Sequence, residues 1–120
     1  RLNNESVTLV SPDAGSNKKM SAICKELELS SFIRADKTRD MATGNILETV
    51  VYADDLSGQV CVIVDDLCDG GRTFIELAKI LKARGAAKVA LVVTHGIFSK
   101  GKKPLDEYID FTYALHDWSK

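Results

Sequence analysis

The stretch Gln59–Leu81, Q-V-C-V-I-V-D-D-L-C-D-G-G-R-T-F-I-E-L-A-K-I-L, decides the fold of this chain. It opens with an apolar run, Val60–Val64, which is typical of a strand buried on both faces of a sheet. It closes with apolar residues at the spacing of one helix face: Phe74, Leu77, Ala78 and Leu81. The stretch therefore predicts a buried strand, a turn and an amphipathic helix.

The turn, Asp69–Thr73, contains two adjacent glycines and is closely preceded by two carboxylates, Asp65 and Asp66, where the strand is expected to end. In a parallel α/β sheet, ligands bind at the carboxyl ends of the strands. A glycine turn that feeds a helix offers free backbone N–H groups and the positive end of the helix dipole to a phosphate. The alternative is a helix-capping turn, with Asp69 or Thr73 as the cap. The acids favour a ligand site, because diols and bound metals need carboxylates and strand ends do not.

Four motifs carry a resemblance to a known family. The run D-D-L-C-D-G-G-R-T, residues 65–73, resembles the ribose-phosphate loop of type I phosphoribosyltransferases. Three further stretches are similar to one branch of that superfamily, the ribose-phosphate pyrophosphokinases: S-P-D-A-G at Ser11–Gly15, D-K-T-R at Asp36–Arg39 and T-H-G-I-F-S at Thr94–Ser99. The resemblance implies an α/β fold: a parallel twisted sheet flanked by helices, with a mobile catalytic loop.

The resemblance also implies a substrate site. Asp65 and Asp66 would hold the 2- and 3-hydroxyls of a ribose. The 5-phosphate would be bound by residues of the turn: Asp69, Gly70, Gly71 and Thr73. Arg72 stands where the family usually has a small residue, and its role stays open between a phosphate contact and solvent.

Metal and catalytic residues follow from the same resemblance. Asp13, Asp65 and Asp66 would bind Mg²⁺, which prefers hard oxygen ligands beside substrate phosphates. Asp13 read on its own is equally a helix cap. Lys37 and Arg39 would be the catalytic residues, which cover the polyphosphate and neutralise the transferring group. A solvated charge run is the alternative for this pair.

Alternating apolar runs and helical periods predict strands and helices in turn, hence a parallel sheet. The strands after the first helix are expected at Ser31–Ala35, Leu47–Ala53 and Ile109–Leu115, among others. Asp36–Asn45 is polar without apolar periodicity and predicts a mobile loop. His95 follows a predicted strand and is interpreted as structural.

Length and composition predict one soluble domain. The chain has 120 residues and a net charge of -1, which gives no reason to expect a nucleic-acid or membrane partner. Three cysteines without metal-ligand spacing indicate a reducing, cytoplasmic setting. Because the pattern opens in its middle, residues 1–120 are expected to be the carboxyl-terminal part of a larger enzyme whose amino-terminal domain is absent. The full-length protein is expected to be a homo-oligomer.

The expected activity is transfer of pyrophosphate from ATP to ribose 5-phosphate, with Mg²⁺ as cofactor. One alternative is a phosphoribosyltransferase that consumes phosphoribosyl pyrophosphate. That enzyme would share the turn but would not need the motifs at Ser11–Gly15 and Asp36–Arg39. A second alternative is a non-catalytic regulatory subunit, against which the intact acids and the Lys37/Arg39 pair argue.

Overall fold

A computed structural model describes residues 6–12, 17–26, 32–39, 41–43, 46–53 and 55–118, and for residues 6, 37–39 and 46–48 it describes the backbone alone. The described strands are β1 (Ser6–Ser11), β2 (Ile33–Arg39), β3 (Ile46–Val51), β4 (Gln59–Cys68), β5 (Lys88–Gly96) and β6 (Phe111–Asp117). The described helices are α1 (Asn17–Glu26), α2 (Arg72–Ala83) and α3 (Lys103–Asp106).

The six strands form one sheet in the order β3-β2-β1-β4-β5-β6. Every neighbouring pair is parallel except β2 and β3, which are antiparallel. The predicted parallel sheet is thus observed for four of the five neighbouring pairs, and the antiparallel pair lies at one edge. The reason is the short connection between β2 and β3, since a parallel crossover needs about a dozen residues or more.

The predicted loop at Asp36–Asn45 is partly strand. β2 continues to Arg39, and Lys37 and Arg39 pair with Thr49 and Ile46 of β3. Polar residues without apolar periodicity still form a strand here, because an edge hairpin need bury little of either face. The mobility expected of this segment stays a prediction.

The core lies on both faces of the sheet. Successive residues of β4 alternate between two apolar clusters: Cys61 and Ile63 pack with α2, whereas Val62 and Val64 pack with α1. The helix face predicted for α2 is buried as expected, and Leu77, Ala78 and Leu81 are fully inaccessible. The two helices are therefore fixed on opposite sides of the central strand.

The strands that follow β1 and those that follow β4 lie on opposite sides of this central pair. From β1 the chain continues through α1 to β2 on one side, and from β4 it continues through α2 to β5 on the other. Open α/β sheets have their ligand crevice at such a point, outside the carboxyl ends of the strands. No helix of the described residues is long and apolar enough to cross a membrane.

Candidate functional site

The turn between β4 and α2 presents an uncapped helix start. Gly71 is the N-cap residue, with φ 81°, and no side chain of the described residues caps this end by a hydrogen bond. The alternative in which Asp69 or Thr73 caps the helix is therefore wrong. The first backbone N–H groups of a helix lack intrahelical acceptors, so this end offers donors to an anion.

The two glycines of the turn have different roles. Gly71 has left-handed backbone geometry, and a Cβ atom there would lie 2.6 Å from Leu105 Cδ2. A Cβ atom on Gly70 would meet nothing within 4 Å. Only Gly71 is thus required by the fold, because it combines a positive φ with close contact to α3.

Asp69 fixes the turn to the neighbouring connection. Its Oδ1 accepts a hydrogen bond from the Ser99 backbone N–H at 3.0 Å, and Ile97 N–H donates to Cys68 O at 2.8 Å. The hydrogen bonds from Ser99 hold the pKa of the Asp69 carboxyl below its usual range, and the charge of Lys100 adds to this. Asp69 therefore acts as an anchor of the turn on the segment that follows β5.

The two adjacent acids lie inside β4 and not after it, so the strand end predicted at Val64 is wrong. Pairing with β1 stops at Ile63, but pairing with β5 continues to Cys68. Long pairing on one side keeps the residues extended beyond the end of β1. Asp65 and Asp66 consequently lie where β4 has no described partner on its β1 side.

Consecutive strand residues face opposite sides of the sheet, and the two acids follow this rule. Asp66 has a side chain 67% exposed and forms an ion pair with Lys19 of α1. Asp65 is half-buried, and its Oδ1 accepts the Asp66 backbone N–H at 2.8 Å. The structure thus gives the two carboxylates different surroundings, which sequence adjacency did not predict.

The remaining predicted residues divide into two groups. Arg72 is exposed at the first position of α2, and Thr73 follows it half-buried. Asp13 lies outside the described residues, and Lys37 and Arg39 are described by their backbone alone. The metal-binding and catalytic roles of these last three residues stay predictions.

The described residues offer a metal ion only a small number of carboxylate ligands. In the described part of the chain no group of three or more His, Cys, Asp or Glu side chains is arranged to hold a metal ion. Mg²⁺ bound with substrate phosphates often takes only one or two carboxylates. The exposed carboxylate of Asp66 and the half-buried carboxylate of Asp65 provide the oxygen ligands that Mg²⁺ prefers.

The cysteines offer no nucleophile. Cys24, Cys61 and Cys68 are buried free thiols. Burial raises the pKa of Cys61 and of Cys68 to about 11, and for Cys68 the charges of Asp69 and Asp65 add to the effect of burial. Since the thiolate is the reactive form, these cysteines are inert packing residues at neutral pH.

The structure contains a cluster of aromatic side chains that the sequence did not predict. His95, which the sequence interpretation treats as structural, stacks on His116 with ring centroids 5.2 Å apart, and Trp118 lies beside them. His95 and His116 lie near the carboxyl ends of β5 and β6, and Trp118 directly follows β6. No local pattern indicates the cluster, because it depends on the register in which β5 pairs with β6.

Comparison with known proteins gives one family match and several named relatives. The family model described as phosphoribosyl transferase domain matches residues 1–118. The chain is 39% identical over 99 residues to a ribose-phosphate pyrophosphokinase of Marinomonas sp. (strain MWYL1), covering 82% of this chain and 31% of the relative. It is 32% identical over 115 residues to the protein of that name from Hyphomonas neptunium, covering 91% and 36%. The chain thus spans about a third of the length of these curated relatives.

Solved structures share the fold. Phosphoribosylpyrophosphate synthetase from Mycobacterium smegmatis aligns with a TM-score of 0.72 at 26% identity, over 88% of this chain and 33% of that chain. The APRTase from Giardia lamblia aligns with a TM-score of 0.74 at 14% identity, over 97% and 71%. The second likeness shows the fold alone.

Proposed function

Because the chain belongs to the phosphoribosyl transferase domain family, we propose that it is the ribose-phosphate-binding and catalytic domain of a ribose-phosphate pyrophosphokinase. The predicted type I phosphoribosyltransferase fold is confirmed by the family match and the structural likenesses. The resemblance to ribose-phosphate pyrophosphokinases is likewise confirmed by the named relatives. The activity itself, and the place of residues 1–120 as the carboxyl-terminal part of a larger enzyme, belong to the proposal.

The proposed reaction moves the β,γ-pyrophosphoryl group of ATP to ribose 5-phosphate. The oxygen of the ribose 1-hydroxyl attacks the β-phosphorus, the bond from that phosphorus to the α,β-bridging oxygen breaks, and AMP leaves. The hydroxyl proton is released. No protein nucleophile is needed for this reaction. Lys37 and Arg39 would neutralise the charge that develops on the transferring group.

The uncapped start of α2 is the observation that supports the ribose-phosphate site of this proposal, and the relatives named ribose-phosphate pyrophosphokinase support the choice of reaction. This helix start lies at the carboxyl edge of the sheet, beyond the point where pairing between β1 and β4 ends. Asp65 and Asp66 lie on β4, the strand that leads into it. Backbone donors for a phosphate thus follow directly after carboxylates that can accept hydrogen bonds from the ribose hydroxyls.

Asp65, Asp66 and Asp13 would hold Mg²⁺, which would neutralise charge on the polyphosphate. ATP and ribose 5-phosphate are the proposed partners, in a cytoplasmic enzyme that assembles as a homo-oligomer when full length. The resemblance implies that the amino-terminal domain and a neighbouring subunit contribute to the adenine site.

Titration of the chain with ribose 5-phosphate, followed by NMR, tests the phosphate site. The amides of Gly70, Gly71 and Thr73 should shift before others, because their N–H groups would meet the phosphate. Ribose without the phosphate is the matched control and should leave these amides in place. Largest shifts elsewhere, or none at millimolar ligand, would remove this site and with it the proposed substrate.

A further inference from the structure

We propose that Arg84 is a positioning residue, which fixes the β2–β3 hairpin to the carboxyl end of α2 and so sets the place of Lys37 and Arg39. Arg84 belongs neither to the turn nor to the carboxylates assigned to the substrate. The link between α2 and the hairpin follows from the hydrogen bonds given below, whereas its importance for catalysis by Lys37 and Arg39 rests on the proposed function.

The β2–β3 hairpin is joined to the rest of the sheet over a short length. Within the described part of the chain, β2 pairs with β1 at Ile33 and Arg34. From Ala35 to Arg39 its described pairing is with β3, which is the edge strand of the sheet. Lys37 and Arg39 therefore lie on a segment whose direction depends on what holds the base of the hairpin.

The half-buried side chain of Arg84 holds the outer strand of the hairpin. Its Nη1 donates hydrogen bonds to Val51 O at 2.6 Å and to Ala53 O at 2.5 Å. Between these two residues, Tyr52 N–H donates to Arg34 O of β2 at 2.9 Å. Because the backbone groups of successive strand residues point to opposite edges, Arg84 binds the edge of β3 that faces away from β2. We call these two hydrogen bonds from Arg84 the anchor.

The anchor is not a helix cap. A cation at the carboxyl end of a helix commonly interacts with the last carbonyls of its own helix. Backbone N–H groups serve that purpose here, since Arg84 N–H donates to Ile80 O and Gly85 N–H donates to Lys82 O, both at 3.0 Å. The guanidinium of Arg84 reaches β3 instead, so the side chain serves the hairpin rather than the helix.

The anchor connects the hairpin and the phosphate-binding turn to the two ends of one helix. The twelve residues of α2 lie between Gly71, its N-cap, and Arg84, its C-cap, and at 1.5 Å per residue the helix is about 18 Å long. Ala35 and Val51, paired at the base of the hairpin, are buried in the same apolar cluster as the inner face of α2. Loss of the anchor should therefore let the hairpin tilt about this buried base, while the turn at the other end of α2 stays in place.

Hydrogen exchange of backbone amides tests the anchor in the 120-residue chain. Arg84→Met removes both donors, and we expect the amides of Tyr52 and Thr49 to exchange about tenfold faster or more, because hydrogen bonds from a charged donor are lost. Amides of β4 and β5 should keep their rates. Arg84→Lys keeps a cation and should give an intermediate rate. Lys79→Met is the matched control, because it removes the same charge from an exposed position of α2, and it should leave hairpin exchange unchanged.

Activity gives the readout that a merely structural role would not move. The assay uses the 120 residues joined to the amino-terminal domain of a ribose-phosphate pyrophosphokinase relative. There Arg84→Met should lower kcat for AMP release by about tenfold or more, because a small misplacement of catalytic groups is costly. KM for ribose 5-phosphate should stay within about twofold, since its turn lies at the other end of α2. Arg84→Lys should recover part of kcat, and Lys79→Met should match the wild type.

The outcomes separate the anchor from the proposed function. Hairpin exchange that Arg84→Met leaves unchanged, or exchange that becomes equally faster in β4 and β5, overturns the anchor. Faster hairpin exchange with an unchanged kcat overturns the positioning role. If hairpin exchange becomes faster as expected while the extended wild type releases no AMP, the anchor stands and the proposed function fails. If the extended wild type releases AMP while Arg84→Met leaves hairpin exchange unchanged, the anchor is wrong and the proposed function stands.

Discussion

Gly71 combines a backbone conformation and a contact that no other residue type can satisfy together. Gly71→Ala places a Cβ at a φ of 81° and 2.6 Å from Leu105 Cδ2. We expect the free energy of unfolding to fall by about 1–3 kcal/mol, from left-handed strain and from displacement of α3. Gly70→Ala, which has open space, should change it by less than about 0.5 kcal/mol. Urea unfolding of both variants checks this, and equal losses would contradict the distinction between the two glycines.

The ammonium group of Lys19 forms an ion pair with the carboxylate of Asp66, which is proposed to bind Mg²⁺ and ribose. The ion pair with Asp66 is largely exposed, so solvent screening makes it weak. A metal ion would have to compete with Lys19 for Asp66. Lys19→Met should therefore tighten binding of Mn²⁺, used as a paramagnetic stand-in for Mg²⁺, by about two- to fivefold. Broadening of the Asp65 and Asp66 amides on titration measures the affinity.

Lys18→Met is the control for this effect, because Lys18 is also an exposed lysine of α1. It removes the same charge one position away. Should both variants tighten Mn²⁺ binding equally, net charge explains the change and the ion pair does not. Weaker binding in Lys19→Met would mean that Lys19 supports the site.

Asp110 joins α2 to the amino end of β5. Its Oδ2 accepts from Lys82 Nζ at 2.6 Å and from Val89 N–H at 2.8 Å. Partial burial opposes ionisation, but these hydrogen bonds outweigh it and hold the pKa of Asp110 below its usual range. A carboxyl with a depressed pKa in the folded state stabilises the fold above its unfolded pKa, about 3.9 for Asp. That contribution is lost as the pH falls through the folded pKa.

Asp110→Asn should therefore lower the free energy of unfolding at pH 7 by about 1 kcal/mol, a value already discounted for the exposed ion pair. The difference from the wild type should shrink as the pH falls below about 3.9. Urea unfolding at pH 7, 5 and 3 gives the comparison. Asp106→Asn, at an exposed position of α3, is the control and should stay close to the wild type throughout. A difference independent of pH would assign the loss to shape and not to charge.

The connection from β4 to α2 could be predicted from the sequence because its signals are local. The periodicity of Phe74, Leu77 and Leu81 specifies a helix face by itself, and the turn before it is recognisable from its glycines. The length of β4 could not be predicted, since it depends on pairing with β5 beyond the end of β1. The β2–β3 hairpin could likewise not be predicted from Asp36–Arg39, because an edge strand need not alternate apolar and polar residues. The cluster of His95, His116 and Trp118 could not be predicted either, because it depends on the register in which β5 pairs with β6.

For the chain as a whole, we expect folding without efficient turnover. The two apolar clusters give a core on both faces of the sheet, so cooperative urea unfolding should be observed. The resemblance implies that the adenine site draws on the amino-terminal domain and on a neighbouring subunit, beyond these 120 residues. AMP release from ATP with ribose 5-phosphate and Mg²⁺ should therefore be slow or undetectable for these 120 residues.

The comparison for that assay is a chain extended by the amino-terminal domain of a ribose-phosphate pyrophosphokinase relative, which should restore AMP release. Robust turnover by the 120 residues alone would mean that a complete adenine site lies within them. The proposed division of the site between domains would then be wrong.

The close approach of Leu105 to Gly71 also constrains the order in which positions 71 and 105 can be substituted during evolution. Leu105 fills the space that a side chain at position 71 would need, although the two residues belong to different connections of the sheet. A side chain at position 71 needs α3 to have moved or residue 105 to have become smaller, and the φ of 81° still strains it. Among descendants of this sequence, the two positions should therefore change in a fixed order, with 105 first. A lineage that enlarges 71 while keeping a leucine at 105 would need a turn of another shape.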